Sequence, residues 1–366
     1  MRREWEEVSI LDVAPITSKL VDPKDEKYSS MILIAPDHIQ SESGQIIAKV
    51  TAREQNAISG KYLVKKGDVI YSKIRPYLKK VCIAPEDCLC SADMYPFSCT
   101  EQINSKYLRI LLLSKQFTDY ANSCSARTGI PKINRDDFAL YFCKIPPIQE
   151  QEKIAETLSV WDSAIEKTET LISEKEKMLS FLMKKILSKK GNTCYLNKIV
   201  TVKKGKQLNK ENMISNGTVP VLNGGISYSG FTNFANTQKN TIAISEGGNS
   251  CGYVNFVSED FWAGGHCYTL ELKDKDVETK FLYWMLKSKE KEIMKLRVGS
   301  GLPNIQQNDL CNLKIEIYNK NDQLKIIELL DCQQREISLL KKQLEQYKLQ
   351  KQGLMQKLLT GEWRVK

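Results

Sequence analysis

Gly129-Ile-Pro-Lys-Ile-Asn134 returns as Gly301-Leu-Pro-Asn-Ile-Gln306, 172 residues further along the chain. The same shift carries Gln151 onto Gln323, Ile154 onto Ile326, Leu158 onto Leu330 and Ile165 onto Ile337. It then carries Leu182-Met-Lys-Lys-Ile-Leu-Ser188 onto Leu354-Met-Gln-Lys-Leu-Leu-Thr360 with no gap between. Upstream, Lys106-Tyr-Leu and Ser114-Lys match Lys280-Phe-Leu and Ser288-Lys at a shift of 174. Further upstream the match fades, and Gly67-Asp-Val-Ile-Tyr-Ser72 only loosely echoes Asn240-Thr-Ile-Ala-Ile-Ser245. The chain is therefore written twice, each time as a variable globular part followed by a matching tail.

The tails read as long helices. Ile154, Leu158, Trp161, Ile165, Thr168, Ile172, Lys175, Leu179, Leu182 and Ile186 step by four and three, a heptad seam with two polar positions. Ile326, Leu330, Gln333, Ile337, Leu340, Leu344, Tyr347, Lys351, Leu354 and Leu358 form the equivalent seam. Pro146-Pro147 lets the first helix begin just after it; Asn319-Lys-Asn-Asp322 replaces that start in the second copy. Thr360-Gly361 is the expected stop. At about 40 residues each tail is about 60 Å of helix, and a helix that long needs a partner along its length. The other tail, antiparallel, supplies it. The globular parts read as β-rich: Lys61–Val64, Asp68–Ser72, Val81–Ala84, Thr241–Ser245, Gly252–Val257 and Cys267–Leu272 are short, β-branched or aromatic runs. A helix around Ser105–Tyr120 or Glu278–Leu296 closes each part.

The 366 residues suit two or three domains, and the 42% apolar and 27% charged fractions are those of a globular chain. No apolar run approaches the roughly 18 residues of a membrane span, and the first residues have no apolar signal-peptide core, so the chain reads as cytoplasmic. Eleven cysteines show no framework, and buried thiols on strands outweigh a zinc site at Cys82, Cys88, Cys90 and Cys99. Two histidines, His38 and His266, exclude most histidine-rich chemistry. Phosphate-binding and dinucleotide glycine motifs are missing, as are an amino-methyltransferase signature and a nuclease carboxylate set. The net charge of +10 suits a polyanionic partner. The chain is built to position something rather than to react.

These features resemble the specificity (S) subunit of Type I restriction–modification systems, over the whole length. The marks are Pro146-Pro-Ile-Gln-Glu-Gln151, Asp322-Gln323, and the tail Gln352-Gly-Leu-Met-Gln-Lys-Leu-Leu-Thr-Gly-Glu-Trp-Arg-Val365. The resemblance implies an α+β chain with an internal pseudo-twofold repeat, its two β-rich target-recognition domains separated by a pair of long antiparallel coiled-coil helices. Its segments are target-recognition domain 1 (1–145), conserved helical region 1 (146–190), target-recognition domain 2 (191–317) and conserved helical region 2 (318–366). It further implies a non-catalytic reader of double-stranded DNA with a bipartite target. The helices would set the spacer and dock two modification (methyltransferase) subunits, restriction subunits joining later. No cofactor is expected in this chain, S-adenosylmethionine and ATP belonging to the partners.

Phosphates call for Lys, Arg and backbone amides, and base edges for Arg, Asn, Gln and Lys on loops. In the first domain Lys73, Arg75, Tyr77, Lys79 and Lys80 form a basic stretch after a strand. Arg127, Thr128, Lys132 and Asn134 flank the Gly-x-Pro turn. In the second domain Arg297, Ser300, Asn304, Gln306 and Gln307 are their counterparts. Lys203, Lys204, Lys206, Asn223, Tyr228, Asn249 and Ser250 stand beside them.

Overall fold

The computed structural model describes residues 4–125, 131–299, 301 and 303–365. It packs as two units: residues up to Glu169 together with those from Gln343 onward, and Thr170–Lys342. The division cuts across both tails, because a lone helix buries nothing and each globular part takes up one end of both helices.

In the first unit Glu6–Ser9 pairs antiparallel with Phe142–Ile145. A three-stranded sheet orders Val81–Ile83, Val69–Ser72 and Met94–Phe97, with Val69–Ser72 central. A second sheet orders Leu20–Val21, Lys61–Val64, Cys88–Cys90 and Leu33–Ile34. Tyr71, Phe97, Phe117 and Phe138 are buried and meet at ring separations of 5.1–5.6 Å, mostly edge-on. Such rings combine large buried area with edge-to-face attraction. Cys82, Cys88 and Cys90 lie buried on strands, and burial pushes the Cys82 and Cys88 thiols up to about 12.

The second unit repeats the plan. Asn192–Tyr195 pairs with Lys314–Ile317. One sheet orders Val200–Lys204, Cys267–Leu272, Thr241–Ser245 and Val254–Val257; another orders Gly230–Thr232, Val219–Leu222 and Trp262–Ala263. Thr241–Ser245 lies between antiparallel neighbours as Val69–Ser72 does. The faint upstream echo is thus a true correspondence at a shift of 173.

Each helix expected as one before the Gly-x-Pro turn is two. Ser105–Leu113 and Lys115–Ser125 break at Ser114, whose extended backbone lets its hydroxyl accept the Phe117 N–H. Thr279–Ser288 and Glu290–Lys295 break at Lys289. The tails run Ile148–Leu187 and Lys320–Leu359, 40 residues each. Asn319 starts the second, its side chain accepting the Asp322 N–H at 2.9 Å, and Gly361 at φ +73° ends it.

Every named seam position is buried or half-buried. In the first unit Ile154 and Leu158 pack with Leu354 and Leu358, while Asp162 pairs with Lys351 and Glu169 with Lys348. In the second, Leu179 and Leu182 pack with Ile326 and Leu330, and Lys175 reaches Glu336 at 2.8 Å. Within each unit the helical segments are antiparallel. Gln151 and Gln323, wholly buried, join helix to body in the same way. Gln151 Oε1 accepts from Asn104 N–H (2.8 Å), and its amide donates to the carbonyls of Gln102 and Pro146 (2.9 Å each). Gln323 does the same with Glu278 N–H (2.8 Å), Asp276 (3.0 Å) and Tyr318 (2.9 Å).

Candidate nucleic-acid interface

In both units the central strand runs into a loop that is stitched to the Gly-x-Pro segment. After Val69–Ser72, Ile74 bridges Lys132; Ile133 N–H donates to the Lys73 carbonyl (2.9 Å) and Arg75 N–H to that of Pro131 (2.7 Å). After Thr241–Ser245, Gly247 bridges Asn304; Ile305 N–H donates to the Glu246 carbonyl (2.8 Å) and Gly248 N–H to that of Pro303 (3.0 Å). Arg75 (φ 49°) and Gly248 (φ 75°) occupy the same left-handed position.

The first loop brings together Lys73, Arg75, Tyr77, Lys132 and Asn134. Arg75, Tyr77, Lys132 and Asn134 are exposed. The Lys73 ammonium and the Arg135 guanidinium lie 5.4 and 5.7 Å from the centre of the Tyr95 ring. Arg135 was not among the expected residues. Asn134 N–H donates to Asp137 at the start of a short helix, a structural bond that leaves its side chain outward. Lys79 and Lys80 do not share this loop. Pro76–Leu78 is a tight turn ending in left-handed Lys79, which sends Lys79 towards Glu42 (3.8 Å) and the Lys80 ammonium onto the Pro36 carbonyl (2.5 Å). Lys79 there lines a cavity of about 230 Å³ with Glu42, Asp162, Glu169, Lys348 and Lys351. Arg127, Thr128 and Ser300 lie outside the described residues.

The second loop gathers Asn249, Ser250 and Asn304, with Gln306 donating to Asn304 at 3.1 Å. Arg297 pairs through its strand with Ile305 and is exposed. Gln307 is tied down, its amide donating to the Val202 carbonyl at 2.9 Å. Lys203 pairs with Glu271 and Lys204 with Glu246, each at 2.6 Å. The Lys203 pair is exposed on both sides and worth under about 1 kcal/mol, so a phosphate can displace its carboxylate. Lys206 is exposed and holds Trp262 through its carbonyl (2.8 Å). Asn223 accepts the His266 N–H at 3.4 Å, and Tyr228 donates to Glu259 at 2.9 Å, burial and that carboxylate holding its phenol at about 12.

Three residues here gave no sequence signal. Glu246 is buried beneath the loop, and the Tyr268 hydroxyl lies 3.1 Å from both Glu246 Oε1 and the Ile305 carbonyl. His266 Nδ1 stands 3.9 Å from Glu246 Oε2. Burial first, and then the Glu246 charge, raise the Tyr268 phenol to about 12. At the neighbouring Gly264 the fold is tight: a Cβ there would meet Asn223 Oδ1 at 2.3 Å. Tyr95 and Tyr268 are register equivalents, opposite Tyr71 and Ile244 on the central strands. One body places Lys73 against this tyrosine, the other Glu246. The frame is shared and its chemistry is not.

The family model described as the Type I restriction modification DNA specificity domain matches residues 2–176 and again 190–348. The chain belongs to that family. It is 40% identical over 166 residues to the Type I restriction enzyme EcoDI specificity subunit of Escherichia coli, covering 44% of this chain and 36% of that one. It is also 23% identical over 288 residues to the MjaVIII specificity subunit of Methanocaldococcus jannaschii, 68% of each chain. The EcoDI match and another, to a Mycoplasma pneumoniae relative, each span 36% of the relative's length. A crystal structure of a Type I restriction–modification S subunit from M. genitalium shares the fold, with TM-score 0.69, 19% identity, and 97% and 96% of the two chains covered. A chain from a study of Type I system assembly gives 0.63 at 18% identity, over 98% of each.

Proposed function

We propose that this chain is the DNA-reading specificity subunit of a Type I restriction–modification complex. Residues 1–145 and 191–317 act as the two target-recognition domains, each reading one half of a bipartite duplex target. The helical regions 146–190 and 318–366 set the spacer and dock two modification subunits, to which restriction subunits add. The observation that carries this reading is the stitched loop, built twice with the same backbone bonds and bordered each time by exposed cations and amides. Arg75, Lys132, Arg297 and Lys203 supply charge to phosphates or guanines; Asn134, Asn249, Asn304 and Gln306 supply paired donor and acceptor groups for base edges. The chain itself carries out no chemistry, and S-adenosylmethionine and ATP bind the partner subunits.

The test is a gel shift of duplex DNA by the full chain co-purified with its partners. Specific binding should be strongly salt-dependent, and methylation should require the partner. Methyl transfer by the purified chain alone would contradict the reading, as would a complex indifferent to DNA sequence.

A further inference from the structure

The two copies of the recognition loop serve as controls for each other, and they differ at one position in a way that backbone energetics does not favour. Arg75 holds a left-handed backbone (φ 49°, ψ 62°), a conformation a residue with a Cβ adopts only at a free-energy cost. Its equivalent, Gly248 at φ 75°, adopts the same conformation freely. Both N–H groups donate to the carbonyl of the Gly-x-Pro proline, so the conformation belongs to the frame and not to the side chain. The position also faces outward, since a Cβ built on Gly248 meets nothing within 4 Å. Arg75 itself is exposed, so its side chain is poorly placed to offset that strain by packing.

Nor does it take part in the local charge network. Lys73 and Arg135 are both drawn to the Tyr95 ring, Lys79 approaches Glu42, and Lys80 holds a carbonyl. Arg75 is exposed and, among the described residues, has no ion pair, side-chain hydrogen bond or ring contact. Pro76, buried directly after it, and the two backbone bonds on either side leave the loop little freedom to reorient. A rigid strained backbone that presents a guanidinium with no partner among the described residues is the arrangement expected of a group held ready for a ligand outside the fold.

We propose that Arg75 is the specificity-determining side chain of the first recognition domain, and that it reads a guanine. Its fork of donors matches O6 and N7 on the major-groove edge of that base. A phosphate accepts the same fork, and the two are separated by outcome: a base contact changes the selected sequence, whereas a phosphate contact changes only affinity and salt slope. The inference rests on the DNA-reading function proposed above and names the base that one residue reads.

The experiment is selection from a pool of random duplexes by the full chain purified with its bound subunits, comparing wild type with Arg75→Gly and Arg75→Lys. The wild type should select one half-site containing a G·C pair that both variants cease to demand. Discrimination at that pair should fall about 5- to 150-fold, the range for one bidentate contact. Every other position of both half-sites should be retained. Arg75→Gly should melt no lower than wild type, because it relieves the left-handed strain, whereas a structural arginine would lower the melting temperature on removal. Uniform weakening at all sequences, with the salt slope reduced by about one and the selected bases unchanged, would make Arg75 a phosphate contact and overturn the proposal. A selected half-site without a guanine would overturn it too. A wild-type complex that selects nothing would remove the DNA-reading function itself, a failure distinct from either.

Discussion

Replacing the buried glutamine at the start of either long helix should loosen that helix from its own body. Gln323→Leu keeps the volume but removes three hydrogen bonds, from Glu278 N–H and to the carbonyls of Asp276 and Tyr318, at 2.8–3.0 Å. At about 1 kcal/mol per bond the loss is about 3 kcal/mol. For a unit of about 170 residues that corresponds to a melting temperature lower by about 6–12 °C. The Glu278 amide should also exchange about 100-fold faster, while Asn104 in the other unit stays protected. Gln151→Leu should reverse the pattern. Gln323→Glu adds a pH signature: one carboxylate oxygen still accepts from Glu278, but the other faces two carbonyl oxygens. The protonated acid is then favoured in the fold, which raises its folded pKa above the unfolded value of about 4.3. The protonated acid has one O–H donor for the two carbonyls. The variant is therefore at its most stable, though short of wild type by one bond, below about pH 4.3, and that stability is lost as pH rises through the folded pKa. Leucine variants that melt within 2 °C of wild type and keep both amides protected would refute the clamp.

Thiol chemistry should divide the cysteines: exposed Cys332 should react with a disulfide reagent at pH 8, while Cys82, Cys88 and Cys267, held at about 12 by burial, should react only after unfolding. Tyr268, raised from 10 to about 12, contributes stability that is present below pH 10 and lost as pH climbs through 12. Tyr268→Phe should remove that part of the alkaline denaturation profile. Four residues inserted after Lys175 lengthen the first helix by about 6 Å while nearly preserving its seam, and the preferred spacer should grow by one or two base pairs at about 3.4 Å each. Selection from duplexes of graded spacer length reads the change, and an unchanged spacer in an active complex would mean the helices do not set it.

The seam, the helix limits and the repeat were legible because they depend on periodicity, and periodicity survives in one dimension. Thr168 and Lys175 were readable as seam positions from spacing alone, although only the fold supplies Glu336 as the partner of Lys175. The interface was less legible. Lys73 to Lys80 reads as one basic ribbon, but left-handed turns at Arg75 and Lys79 split it, and nothing in the composition announces them. Gln307, expected among the DNA-binding residues, donates to the Val202 carbonyl, a contact 105 residues away that the sequence does not announce. Glu246 escaped notice because a single carboxylate before two glycines has no pattern; its importance comes from Lys204 and Tyr268, 42 and 22 residues away.

Each body should read its own half of a divided target. The direct measurement is a genome-wide map of methylated bases in three host strains: wild type, a deletion of this gene, and one whose residues 1–145 come from another family member. The wild type should show a bipartite methylated motif that vanishes with the deletion. In the exchange strain one half should change while the other half and the spacer persist. A motif unaffected by the deletion, or an exchange that alters both halves together, would contradict independent reading by the two bodies.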